Sequence, residues 1–437
     1  MIRRESTITD TIYLPQASSA SLYAAVRTWF LVGILVYIAA GGSVPFLDHG
    51  HVDIVLDPIS FAESATRVVR HFCVFALLVP LCYHRFFTTL RLLKKARWIV
   101  LLNLLALVSC SWSEQPLRSA SSALLLFPLT WLAFYLVDNY EDTDLMRIIA
   151  LVAIFAAFSS FVLCLLFPQL GIDQDLHAGA WRGIFGEKNA CGRTCLFLLA
   201  FLTWFRPRTY VDQFLKFTSC LSMLLLIAMS RSATAWMLTI VYVLFVIAIT
   251  TKNKIRKKDR LAITLFATVI AAAFVSLCVV FFSVLAPIFG RDIGMTGRVT
   301  IWQSLMAVIL RRPWLGYGFE GFWHKDSSVG TSTGVYAFVG WGVTAAHNGY
   351  LTLFLDMGLL GFLLFSLAFF STFKKVLKQH LDSGMLEVAG IVLLLTILNN
   401  IDESTIMTFN SLPWLIYLII SARMLLTQQS KVRQNKD

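Results

Sequence analysis

Residues 146–168 read MRIIALVAIFAAFSSFVLCLLFP, an apolar run long enough to cross a bilayer as one helix. Such a helix needs about 20 apolar residues, because the hydrocarbon core is about 30 Å thick. Comparable runs recur from end to end of the 437-residue chain, of which 57% is hydrophobic and 14% charged. A soluble protein carries roughly 25% charged residues. The sequence therefore predicts an all-α, polytopic membrane protein built as a helical bundle.

Hydropathy predicts about twelve transmembrane helices. Their limits are 28–46, 66–84, 97–112, 119–137, 146–168, 190–205, 213–230, 232–250, 261–287, 347–372, 386–400 and 407–427. An even number of spans places the basic clusters on one side of the membrane, at 85–97, 206–208, 252–260, 374–378 and 431–436. The positive-inside rule makes that side cytoplasmic, with both termini there. The predicted division is a cytoplasmic segment 1–27, spans one to nine in 28–287, an outer loop or lid at 288–346, the last spans in 347–427 and a cytoplasmic tail 428–437.

The formal net charge of +12 does not indicate nucleic-acid binding. The cations lie in short loops between spans, and the chain has no ladder of alternating aromatic and basic residues. The eight cysteines form no Cys-x-x-Cys pair, which argues against a metal or redox framework. Residues 142–144 and 173–175 have an Asp-x-Asp spacing, but the first favours a helix cap and the second lies outside, where nucleotide sugars are scarce. We predict no metal and no cofactor.

A glycine-rich stretch, WRGIFGEKNACG at 181–192, leads into the sixth predicted span at its outer end. Its glycines allow the backbone to turn tightly. Arg182 and Lys188 place cations where an anionic headgroup or phosphate would lie, although a lysine at this depth is also typical of ordinary snorkelling. The stretch favours a phosphate-bearing lipid substrate over a soluble metabolite.

Three further basic or titratable residues are predicted at the same outer face. Arg231 lies in the turn between the seventh and eighth spans, Arg298 begins a helix predicted over 297–310, and His347 begins the tenth span. Arginine binds phosphate in a bidentate manner, and histidine can take a proton from an attacking hydroxyl. Each residue also has a structural alternative: Arg231 could anchor the turn at the membrane surface, Arg298 could be held in an ion pair, and His347 could cap its helix.

Together these residues predict a metal-free transferase site on a lipid diphosphate. Arg298 and His347 are the catalytic candidates, and the diphosphate-binding candidates are Arg182, Lys188, Arg231 and Arg298. Further residues that could line the same cavity are Asn348, Tyr350, Asp402 and Glu403.

Several short motifs, in this order, resemble the O-antigen ligase and polymerase superfamily, and more closely its ExoQ-type exopolysaccharide polymerases. They are WRGIFGEKN at 181–189, SRS at 230–232, Gly297-Arg298-x-x-x-Trp302, PWLGYG at 313–318, HNGY at 347–350 and DMGLLG at 356–361. The resemblance implies a bundle similar to GT-C glycosyltransferases in the bacterial inner membrane, with a long periplasmic loop before the tenth span.

The resemblance also implies block transfer of a glycan from undecaprenyl diphosphate to an acceptor hydroxyl at the periplasmic face. It places Arg231 and Arg298 on the diphosphate, and His347 on the acceptor hydroxyl or the diphosphate. A chain-length regulator and a flippase are then candidate partners, beside the lipid bilayer itself. Polymerisation of repeat units is the favoured reaction. Ligation of the glycan to lipid A–core is the alternative, and transport of lipid-linked sugar is a weaker one because the candidate residues concentrate at one face.

Overall fold

The computed structural model describes residues 19–42, 61–76, 86–174, 177–251, 296–323, 345–378 and 384–434. In these ranges the regular structure is helical, and one isolated antiparallel bridge pairs Ile172 with Trp181. The ninth predicted span at 261–287, the basic loop at 252–260 and much of the predicted lid lie outside the described residues.

Most predicted spans overlap a helix, with limits that differ by several residues. In chain order the helices are α1 (Ser19–Ala39), α2 (Phe61–Ala76), α3 (Phe86–Lys95), α4 (Arg97–Val108), α5 (Pro116–Asn139), α6 (Asp142–Leu166), α7 (Lys188–Leu202), α8 (Tyr210–Met229), α9 (Ala233–Thr251), α10 (Thr296–Ile309), α11 (Gly349–Lys378), α12 (Met385–Asp402) and α13 (Leu412–Gln434). Shorter turns lie at Ser109–Ser111, Pro168–Gly171 and Gly183–Phe185.

Six helices in the described part of the chain are long and apolar enough to cross a membrane. They are Pro116–Asn139, Asp142–Leu166, Tyr210–Met229, Ala233–Thr250, Gly349–Lys378 and Met385–Asp402. Shorter apolar helices add Ala25–Ala39, Arg97–Ser111 and Leu412–Leu426. The prediction of a polytopic helical membrane protein is confirmed. The count of twelve, the orientation and the likeness to GT-C enzymes stay predictions.

Helix α7 lies at the centre of the bundle, packed against α6, α8, α9 and α12. Its residues from Cys195 to Leu202 are all buried, which explains why this segment is apolar on every side. Cys191 and Cys195 are fully buried one helical turn apart, as expected for packing residues. The outer end of α7 is therefore fixed by contacts along its whole length.

The region 85–97, expected as a basic loop, is helical over Phe86–Lys95. Its apolar residues lie on one face, with Leu92 buried, and Lys94 and Lys95 occupy the last turn, where cations complement the helix dipole. Two carboxylates in the first turn of α6 are paired with arginines, because Asp142 contacts Arg423 and Asp144 contacts Arg147.

Helix α11 is interrupted at Gly358, whose φ is 62°. Glycine adopts such a positive φ at little cost because it has no Cβ. The interruption leaves backbone groups unpaired, and the segment 313–318 supplies their partners. Tyr317 N–H donates to the Leu355 carbonyl at 2.8 Å, and Leu359 N–H donates to the Pro313 carbonyl at 2.7 Å. Because this segment follows α10 directly, the interruption in α11 fixes α10 against it.

A second contact joins α10 to the residue before His347. The indole Nε1 of Trp302 donates to the carbonyl of Ala346 at 2.9 Å. Ala346 and Leu305 are fully buried in the same small apolar cluster. The two helices therefore hold Arg298 and His347 at the same end of the bundle, which the sequence predicts to be the outer one.

Candidate functional site

The start of α11 lies directly against the end of α12. Asn348 caps α11, since its Oδ1 accepts from the backbone N–H groups of Tyr350 and Leu351 at 3.0 Å each. The same side chain donates to the carbonyl of Ile401 at 2.8 Å. Gly349 N–H donates to the carbonyl of Glu403 at 3.1 Å. These bonds place His347 beside the carboxylates that end α12.

The turn after α12 is held by buried amides. Asn400 Oδ1 accepts from the backbone N–H groups of Thr405 and Ile406 at 2.8 and 3.1 Å. The phenol of Tyr350 donates to the carbonyl of Ile397 at 2.9 Å. Asn348 and Tyr350, predicted as cavity-lining residues, thus join α11 to α12 in this structure.

Five charged or titratable side chains meet at this place, and we call them the outer cluster. They are Arg193, Arg298, His347, Asp402 and Glu403. Glu403 is central: its Oε2 lies 2.9 Å from Arg193 Nη1 and 3.9 Å from His347 Nδ1. Its Oε1 lies 3.4 Å from Arg298 Nη2, while Arg298 Nη1 contacts the Asp402 carboxylate. Arginine, carboxylate and imidazole groups from three helix ends and α7 therefore form one network.

The electrostatics of Glu403 favour its ionised form. Burial alone would raise its pKa, but the adjacent His347 and the charges of Arg193 and Arg298 outweigh burial and lower the pKa to about 2. Burial opposes the charge of Arg298 in the same way, and the carboxylates of Asp402 and Glu403 nonetheless raise its pKa. The pairing therefore keeps both groups charged at neutral pH.

The imidazole of His347 is arranged as a proton acceptor would be. Glu403 lies on the Nδ1 side of the ring, so Nε2 points away from the carboxylate. The side chain is 37% exposed. An imidazole beside a carboxylate can take a proton from a hydroxyl.

Lys188 and the nearby His177 lie within electrostatic reach of Arg298. Burial lowers the pKa of the Lys188 ammonium, and the charge of Arg298 adds to this while Asp173 and Glu187 oppose it. Burial also lowers the pKa of His177, with Lys188 as the next cause. Lys188, at the start of α7, therefore belongs to the same outer region as Arg298.

Arg231 lies at the edge of this region. It sits in a turn with φ of 49°, and its Nη1 donates to the Ala178 carbonyl at 3.4 Å. The turn itself reaches the outer cluster, because Thr234 donates to the Asp402 carboxylate. Ser232 Oγ also donates to Asn189 Oδ1 at 2.8 Å, which ties the turn to the start of α7.

Arg182 has a different environment. Its Nε and Nη2 donate to the carbonyls of Leu170 and Gln169 at 3.0 and 2.8 Å, and the residue is 7% exposed. Within the described residues, no hydrogen bond or ion pair joins Arg182 to the outer cluster. In this structure Arg182 braces the glycine-rich stretch against the end of α6, and its assignment to the diphosphate stays a prediction.

Among the described residues, no group of three or more His, Cys, Asp or Glu side chains is placed to hold a metal ion. Asp175 of the Asp-x-Asp spacing lies outside the described residues.

Comparison with known proteins gives two matches. Residues 218–366 match the family Wzy_C, described as O-antigen ligase. The chain is also 22% identical over 143 residues to the exopolysaccharide production protein ExoQ of Rhizobium meliloti (strain 1021), covering 30% of this chain and 31% of ExoQ. The match thus spans about a third of the length of that curated relative. These findings support the resemblance of the chain to the O-antigen ligase and polymerase superfamily.

The superfamily match includes Arg231, Arg298 and His347 but ends before α12. Sequence reasoning missed Arg193, which lies outside the matched range and joins Glu403 to Glu187 at 2.9 and 3.2 Å. A signal was present, because an arginine within a predicted membrane span is a functional candidate by default. No such signal indicated that Thr234 donates a hydrogen bond to Asp402, since threonine is common in apolar helices.

Proposed function

We propose that this chain is a membrane glycosyltransferase that polymerises oligosaccharide repeat units carried on undecaprenyl diphosphate, at the periplasmic face of the inner membrane. The observation that supports it most is the shared carboxylate of Glu403, which joins Arg298 and His347 into one network. The partial match to ExoQ favours exopolysaccharide as the product.

In the proposed reaction, an acceptor hydroxyl attacks the anomeric carbon of the donor glycan. The new glycosidic bond forms as the bond from that carbon to the diphosphate oxygen breaks. The hydroxyl proton passes to Nε2 of His347 and then to solvent, while the carrier diphosphate leaves with the bonding electrons. Cations beside the leaving group stabilise its developing charge, and Arg298, Arg231 and Lys188 fill that role.

Arg298 is already ion-paired, and this pairing is compatible with anion binding. A guanidinium has five N–H donors, and the contacts to Asp402 and Glu403 use only Nη1 and Nη2. Nε–H therefore has no partner among the described residues. The carboxylates hold the planar group in one orientation before substrate arrives, which reduces the entropy lost on binding.

Ligation of the glycan to lipid A–core is the second candidate, because the matched family is described as O-antigen ligase. Ligase and polymerase would share the donor, the outer cluster and the bond changes. They would differ in the acceptor alone.

Reconstitution tests the proposal. The protein is placed in liposomes with purified carrier-linked repeat units on its periplasmic side, and product length is followed on gels. We expect lengthening with wild type, loss of lengthening with Arg298→Ala and His347→Ala, and no change with Arg311→Ala, an exposed arginine just after α10. A chelator should leave the rate unchanged, because the proposed chemistry uses no metal.

The alternatives give other results in the same assay. Transfer to added lipid A–core without lengthening would indicate a ligase. Relocation of unchanged lipid would indicate a transporter. Normal lengthening by Arg298→Ala would contradict the role assigned to the outer cluster.

A further inference from the structure

A cavity of about 150 Å³ opens beside the outer cluster. Its walls come from the end of α1, the start of α7 and the loop between α12 and α13. Most polar groups on these walls are uncharged, and they are the side chains of Thr194, Ser404, Thr408, Asn410 and Ser411. The remaining wall includes the ring of Phe185 and small apolar residues. The cavity is too small for a lipid chain and large enough for a sugar ring.

The two charged residues on the walls, Glu187 and Arg193, neutralise one another. Arg193 Nη2 lies 3.2 Å from Glu187 Oε1, and Arg193 Nη1 lies 2.9 Å from Glu403 Oε2. The charged groups that line the cavity therefore sum to about zero, and the Glu187 carboxylate would repel a diphosphate bound there. The cavity therefore disfavours a diphosphate and suits a neutral polar ligand.

Thr194 supplies an unused polar group inside this cavity. The residue is 3% exposed and lines the cavity, and its hydroxyl makes no hydrogen bond to another described residue. A hydroxyl has one donor and two acceptor sites, so this one is free to bond a ligand or water in the cavity. Uncharged hydroxyl and amide groups around an apolar ring are the surface that a sugar's hydroxyls and C–H faces require.

The cavity is adjacent to the proposed base. Glu403 Oε2 accepts from Arg193 on the cavity wall and lies 3.9 Å from His347 Nδ1. One carboxylate therefore separates the cavity wall from the imidazole.

We propose that this cavity is a subsite for one neutral sugar ring of the acceptor glycan, held beside the outer cluster. The assignment of the sugar to the acceptor rests on the proposed transferase function. The subsite itself rests on the cavity, its charge balance and the unpartnered Thr194 hydroxyl.

Two variants and one control test the subsite. Thr194→Val keeps the shape and removes the hydroxyl, and Ala190→Phe fills the cavity from its α7 wall. Thr239→Val is the matched control, because its hydroxyl donates to Ala235 on α9, away from the cavity lining. The proteins are held in nanodiscs. Neutral oligosaccharide released from the host polymer by partial acid hydrolysis is titrated by saturation-transfer NMR, and a fluorescent polyprenyl diphosphate is titrated separately.

We expect wild type and Thr239→Val to bind the oligosaccharide equally. Thr194→Val should bind it about fivefold more weakly, because it loses one hydrogen bond. Ala190→Phe should not bind it. Diphosphate affinity should be unchanged in all of them. Equal oligosaccharide binding by wild type, Thr194→Val and Ala190→Phe would overturn the subsite, even if all of them lengthen glycan normally. Cavity-dependent sugar binding without any lengthening would instead uphold the subsite and refute the transferase.

Discussion

Replacing Glu403 with glutamine is the sharpest test of the outer cluster. The change keeps the shape of the side chain and one acceptor oxygen but removes the charge shared by Arg193, Arg298 and His347. Glu403 has a side chain only 6% exposed, so solvent cannot replace the lost carboxylate. The variant therefore isolates the electrostatic contribution of one group.

The structure sets the size of the expected effect on stability. Removing one partner of a fully buried ion pair costs about 3–5 kcal/mol. Here the arginines are 17% and 18% exposed, and each retains a second carboxylate, Glu187 for Arg193 and Asp402 for Arg298. Glutamine also keeps an acceptor, so we expect about 1–2 kcal/mol of lost stability, a drop of a few degrees in melting temperature.

The expected effect on catalysis is larger. If Glu403 holds the imidazole of His347 in its proton-accepting orientation, the variant loses most of the general-base contribution, about 10²-fold in kcat. The donor KM should change little, because Arg298 keeps its contact with Asp402. Glu387→Gln is the matched control, because it makes the same substitution at the start of α12, at the opposite end of the helix that Glu403 follows.

The assay is reconstituted chain lengthening under saturating donor, with melting temperature measured on the same preparation. A Glu403→Gln enzyme with kcat within threefold of wild type would refute the orienting role. A fall in kcat that Glu387→Gln shares equally would show that the helix, and not the cluster, is responsible.

Three further results are expected. Arg298→Lys should slow lengthening more than tenfold, because a lysine cannot contact Asp402 and Glu403 together as a planar guanidinium does. The control Arg311→Lys should leave the rate unchanged. Equal rates for the two variants would contradict this reasoning. Gly358→Ala should sharply reduce the amount of folded protein in the membrane, because the new Cβ would lie 2.3 Å from the Trp314 carbonyl carbon. Gly33→Ala is the control and should leave the amount unchanged, because no atom lies within 4 Å of its new Cβ. Fluorescence-detection size-exclusion chromatography measures both. Ionised Glu403 stabilises the fold above its unfolded pKa of about 4.3, and this contribution is lost as pH falls toward its folded pKa of about 2. The melting temperature of wild type should therefore fall more steeply below about pH 4 than that of Glu403→Gln, and parallel curves would contradict the shift.

Most of the helical architecture could be predicted, because membrane spans are determined by apolar length. The span predicted at 146–168 is α6 at Asp142–Leu166, and the helix predicted at 297–310 is α10 at Thr296–Ile309. The amphipathic α3 was not predicted, since a hydropathy window averages its buried Leu92 with its lysines. Periodicity on one face was the signal that would have found it.

The site could be predicted only in part, because its contacts are distant in sequence. Arg193 and Glu403 are 210 positions apart, and nothing in either segment shows that they pair. His347 and Arg298 were singled out from the sequence and Glu403 was named as a cavity-lining candidate, but the contacts that join the three could not be read from it. The pairing of segment 313–318 with the interrupted α11 was also invisible, because it is made by backbone groups that no side-chain pattern reports.

The charges around Glu403 bear on which ligands this region would take. Within the outer cluster, two arginines face two carboxylates, so the cluster supplies orientation but little net charge. Lys188 lies within electrostatic reach of Arg298, whereas Arg193 lines a cavity whose other polar side chains, apart from Glu187, are uncharged. Under the proposed function, the diphosphate would bind toward Arg298 and the neutral acceptor in the cavity, and Glu403, which contacts both arginines, would fix the distance between the two substrates.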